Sequence, residues 1–170
     1  MYSLYGYSPN DALFTFGAEI IHRRLKARGS LHLFHFVDFR INNLPDICPE
    51  FLLPLVEGRK VVIICDDALI PLALFYIRHH RNVVAVYSIR TAPDVIIQSL
   101  LRWEAGEQIL RIRAPRFEIL TKTEADVIGR YGCQASGDIP AEYSTTKSLY
   151  THERNIARKF GRRRFPEIFG

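Results

Sequence analysis

The densest chemistry in the chain lies between Lys147 and Arg164, where seven Lys/Arg stand against one Glu in a 170-residue protein of formal net charge +5. That segment contributes +6, so the remainder is near −1. Clustered cations suit a polyanion, because neutralising phosphates releases condensed counterions. A solvated basic tail would show the same count, so the spacing has to decide. Leu149, Ile156 and Phe160 recur on one helical face, and Lys147, Tyr150, Thr151, Arg154 and Arg158 fall on the other. The presented set can read a DNA duplex. Arg makes a bidentate contact with guanine, Thr meets a thymine methyl or hydrogen-bonds a base edge, and flanking cations hold phosphates.

Other chemistry is thin. His32 and His35, three apart on a strand-like run, point to opposite faces and cannot hold one metal ion together. His79-His80 reads as a polar helix end beside the C-terminal dipole. Cys48, Cys65 and Cys133 are odd in number and far apart, which fits reduced apolar side chains rather than a disulfide framework or a zinc knuckle. No glycine-rich phosphate loop or nucleophile elbow is present. The expectation is a protein that is not an enzyme and needs no cofactor or metal.

The elements that position the basic helix follow from pattern. A 48% hydrophobic, 24% charged composition fits a packed globular protein. No apolar run reaches the ~20 residues of a membrane span, and the amino terminus lacks signal-peptide features, so a cytoplasmic, nucleoid-associated location without membrane contact is expected. The first portion alternates strands and helices, as a parallel α/β layer does. "MYSLYGY", "SLHLFHFVDF", "RKVVIICD" and "NVVAVYSI" read as strands; helices are expected around Leu13 to Leu25, over "ALIPLALFYIRHH", and from Val95 to Ala105 with Thr91 as its cap. "EQILRIRAPRF" reads as a linker. This divides the chain into an α/β domain over 1–112, a linker over 113–118 and an all-α domain over 119–170. In the last, Thr121 and Glu124 form a capping box that opens a helix running to about Tyr131, Asp138 caps a short second helix, and Ser144 or Thr145 caps a third.

The wording of this region resembles the LuxR/NarL (GerE-type) helix-turn-helix. "LTKTEADVI" followed by "KSLYTHERNIARKFG" matches the family pattern at Leu120, Thr121, Glu124, Val127, Ile128, Ile139, Lys147, His152, Asn155, Ile156, Lys159 and Gly161. The stretch between Leu120 and His152 is shorter than in the family, Pro140 replaces an alanine, and "RRRFPEIFG" stands where a fourth, dimerising helix would follow. The resemblance implies that Tyr150, Thr151 and Arg154 face base edges and that Lys147, Asn155, Arg158 and Lys159 lie near phosphates. It also implies promoter DNA as partner, a homodimer or a heterodimer with another regulator, and contact with RNA polymerase.

"SPNDALFTFGAEII" and "VVAVYSIRTAPDVIIQSLLRWEAGEQIL" resemble parts of response-regulator receivers. Pro9 and Asn10 fall at the acidic-pair positions, Ile89 at the lysine position and Cys65 at the hydroxyl position, while Asp38 stands where the phosphoacceptor would be. The pattern implies a truncated, degenerate receiver that phosphorylation does not control. The whole layout is similar to the small enterobacterial regulators of fimbrial operons in the EcpR/MatA group, which implies transcriptional activation of fimbrial or other surface-adhesion genes. The alternative is an auxiliary protein that pairs with another regulator through the receiver-like part.

Overall fold

The computed structural model describes residues 6–8, 11–46, 59–107, 119–133 and 146–168. The expected linker over 113–118 lies outside the described residues, as do Asp138, Pro140, Ser144 and Thr145. The architecture is mixed α/β. Four strands, β1 (Gly6–Tyr7), β2 (Phe34–Phe39), β3 (Lys60–Cys65) and β4 (Val83–Ser88), form one parallel sheet in the order β1-β2-β3-β4. Phe36 stands between Gly6 and Val62, and a register shift at Val61/Val62 sets Val62 against Ala85. β2 and β3 are buried along almost their whole length because helices cover both sheet faces.

One face packs Phe34, Phe36, Val62, Ile64, Ala85 and Tyr87 under α1 (Ala12–Ala27) and α3 (Pro93–Glu104), which contribute Ala18, Leu25, Ile96, Ile97 and Leu100. The fit is close at β1, where a Cβ on Gly6 would come 2.9 Å from that of Ala18. Asp11 caps α1 by accepting the amides of Leu13 and Phe14 at 2.8 and 3.0 Å. The cap expected of Thr91 does not form. Its amide instead donates to the Ser88 carbonyl in a turn, and α3 opens at Pro93 behind Ala92 with no side-chain cap. Proline's preset φ and missing N–H suit that first turn without help.

The opposite face packs Val37, Phe39, Val61, Ile63 and Cys65 against α2 (Ile70–His79), which buries Leu72, Phe75 and Tyr76. Burial pushes the Cys65 thiol up to about 12, so it sits there as a small apolar group. The same core continues into α4 (Lys122–Cys133) and α5 (Thr146–Lys159) through Leu120, Ala125, Val127, Ile128, Ile156 and Phe160. α4 lies on α2 and on the short 3-10 turn Ile41–Asp46, so the carboxyl-terminal helices are seated on the sheet's covering layer.

The chain path has one unusual consequence. α1 links β1 to β2 over one face and α2 links β3 to β4 over the other, with both links stepping the same way along the sheet. The two crossovers therefore have opposite hands, and one of them departs from the right-handed rule.

Candidate nucleic-acid interface

The capping box sets the frame. The Thr121 amide donates to Glu124 Oε2 at 2.7 Å, and the Glu124 amide donates to Thr121 Oγ1 at 3.3 Å. Lys159, near the end of α5, reaches back to the same corner and donates from Nζ to Glu124 Oε2 at 2.7 Å and to the Ile119 carbonyl at 3.1 Å. The pair is deep, with side chains 8% and 4% exposed. Burial pushes the Glu124 carboxyl up, but Lys159 and the Thr121 amide pull it further down, and the net result lies below its ordinary range. The corner fixes the two helices against one another. Tyr131 adds a second tie, donating its hydroxyl to Glu153 while its ring meets the edge of Phe165 with centroids 4.7 Å apart.

With its inner face pinned, α5 presents the other. Tyr150, Thr151, Arg154, Asn155 and Arg158 line an open groove of about 490 Å³, joined by Arg162 and Arg163 from the turn past its end. Tyr150 is 67% exposed, so its ring and hydroxyl are open at the groove. Four arginines and no carboxylate line the groove among the described residues. Glu153, the lone acid of the segment, is on the packing side with Tyr131. The result is a concave cationic surface with an aromatic ring, a hydroxyl and a carboxamide set among the charges. That surface can hold phosphates and hydrogen-bond base edges at once.

The structure thus brings Tyr150, Thr151, Arg154, Asn155 and Arg158 to one surface. Lys159 departs from the position expected near phosphates, because its ammonium is committed to Glu124 inside the protein. The Lys147 side chain lies outside the described residues. His152 is half-buried and does not line the groove. Arg162 and Arg163 stand out in the sequence only as part of a charge run. The available signal was Gly161, whose φ of 66° ends the helix in a left-handed turn.

A second arginine site occupies the end of the sheet. Arg40 donates from Nε to Asp38 Oδ1 at 2.8 Å, and its Nη2 bridges Asp38 and Asp11. Ser8 Oγ donates to Asp38 Oδ2 at 2.8 Å. The Asp38 side chain is almost wholly buried, with both oxygens engaged. Arg40 holds the Asp11 carboxyl below its usual range, helped by the Phe14 amide, and the Arg40 guanidinium is pushed further up, first by its bond to Asp38. The Asp38 carboxylate is thus already occupied by an arginine fork of this chain. Sequence reasoning missed Arg40 because its acidic partners and Ser8 are brought together from separate segments.

Among the described residues no helix is long and apolar enough to cross a membrane. No protein-family model and no solved structure matches the chain. It is similar to the Vi polysaccharide biosynthesis protein TviA of Salmonella typhi, with 28% identity over 160 residues that cover 91% of this chain and 88% of that protein.

Proposed function

We propose that the chain is a sequence-specific DNA-binding transcription regulator of the LuxR/NarL type, in which α5 is the recognition helix. The observation that carries this reading is the groove: the outward residues of α5 converge with two further arginines on a surface that, among the described residues, no carboxylate lines, while the inner face is locked by the Glu124–Lys159 pair. Thr151 and Arg154 read base edges, Tyr150 packs against them, and Asn155 and Arg158 hold the backbone.

The amino-terminal part acts as a degenerate receiver. Its strand order, with α1 and α3 on one face and α2 on the other, is what remains of a receiver's 2-1-3-4-5 sheet when the second strand and its helix are removed. That removal also accounts for the unusual crossover. Asp38 is then a structural carboxylate held by Arg40, and phosphorylation does not control the protein. The proposed targets are fimbrial or other surface-adhesion genes, and the similarity to TviA widens them to polysaccharide-biosynthesis genes.

The test is selection of fragmented genomic DNA by the purified protein at physiological salt, followed by sequencing, beside a Thr151→Ala/Arg154→Ala variant. A shared site enriched by the first protein and lost by the variant is the expected result; equal recovery of fragments by both would overturn the reading.

One observation favours the auxiliary reading. Leu13, Phe16 and Ile20, at helical spacing on α1, are 81%, 58% and 41% exposed, an apolar stripe suited to another regulator or a second copy of this chain. Under that reading, site selection appears only after a partner regulator is added, and Phe16→Glu removes it.

A further inference from the structure

α5 ends in a turn that returns arginines to its own recognition face. The Gly161 amide donates to the Arg158 carbonyl at 3.0 Å, and the Arg162 amide donates to the Ala157 carbonyl at 2.8 Å. With φ of 66° at Gly161, these bonds close the helix in the Schellman manner and redirect the chain. Two anchors then hold the segment beyond the turn. Phe165 and Ile168 are buried in the core, and the Glu167 carboxylate accepts the amides of Arg163 and Arg164 at 3.2 and 3.4 Å. Between glycine and anchor, Arg162 and Arg163 are exposed and line the same groove as Arg154 and Arg158.

We infer that Arg162 and Arg163 form a fixed backbone-gripping arm, which holds phosphates at the rim of the DNA groove entered by α5 and takes over the role that Lys159, turned inward, does not perform. The inference rests on the reading of α5 as a DNA-recognition helix. Its physical basis is threefold. A guanidinium fork matches two phosphate oxygens and stays charged at every physiological pH. Anchoring on both sides means that little chain entropy is lost when the arm binds. The arm lies past the end of the helix, beyond the central positions that meet base edges, so its contacts are with sugar and phosphate and carry no sequence information. Glu167 supports this geometry by accepting the two backbone amides.

The arm has a signature that base contacts lack. Each phosphate neutralised on duplex DNA adds ~0.9 to the slope of log affinity against log salt. Arg162→Ala/Arg163→Ala should therefore reduce that slope by about 2, on the selected site and on random-sequence duplex equally, and leave the ratio of the two affinities unchanged. Thr151→Ala/Arg154→Ala provides the contrast, collapsing the ratio. Because both arm residues are exposed, the double variant should unfold at the wild-type denaturant midpoint, and Arg162→Lys/Arg163→Lys should recover most of the slope. A slope unchanged by the alanine pair on both duplexes overturns the arm even if the wild type prefers its site. A wild type without site preference whose slope still falls in the variant overturns the recognition reading and leaves the arm standing. Absence of binding to any duplex overturns both.

Discussion

Arg40 and Arg154 carry the same guanidinium, yet Arg40 is folded against Asp38 and Asp11 at the end of the sheet, whereas Arg154 stands on the open side of α5 in a groove that no carboxylate lines among the described residues. The difference lies in what the neighbouring segments supply. Around Arg40, Ser8, the α1 cap and the end of β2 converge, so the charge is consumed in holding the fold. Around Arg154 the acid of the same helix is drawn to Tyr131, and among the described residues the groove is lined by arginines and no carboxylate. Lys159 belongs with Arg40: it was expected in the second group and is found in the first. A cation's place in the motif thus says less about its task than which acids the fold brings to it.

That contrast can be broken in order of expected effect. Lys159→Met leaves Glu124 buried without its counter-ion and should cost about 3–5 kcal/mol in denaturant unfolding, the usual penalty for splitting a buried pair. Arg40→Met, which strips Asp38 of its fork but leaves Ser8, should cost about 3 kcal/mol by the same measurement, with DNA discrimination per folded molecule intact. Arg154→Ala should do the reverse. Site discrimination should fall by about 1–3 kcal/mol in competition binding while the unfolding midpoint holds. The smallest effect is in acid. Because the folded Glu124 carboxyl lies below its ordinary value, its contribution is complete above that value and disappears as pH falls through the folded one. Wild type should lose more stability than Glu124→Gln between about pH 6 and pH 3, and parallel curves would show that the pair does not set the acid limit.

Much of this is legible in the sequence. The four strands show in apolar runs long enough to be covered on both faces, the capping box in the Thr121-to-Glu124 spacing, and the two faces of α5 in the interval from Leu149 to Ile156 and Phe160. What stays hidden depends on long-range meeting. Glu124 and Lys159 are 35 residues apart, and Ser8 and Asp38 are 30 apart, so periodicity cannot pair them. The seating of α4 on α2 and on the turn after β2 is equally nonlocal. The missing Thr91 cap is the opposite case, a local pattern displaced by the turn that Ser88 closes.

Whether α5 reads sequence through its outward face is decided by one comparison. It is the affinity of the purified protein for a selected genomic fragment relative to random duplex, at one fixed salt, for wild type and Thr151→Ala/Arg154→Ala. The expected outcome is a wild-type preference of about 10³-fold or more that collapses in the variant while the residual, sequence-independent affinity persists. A preference of the same size in both proteins would show that the outward face of α5 does not read the site.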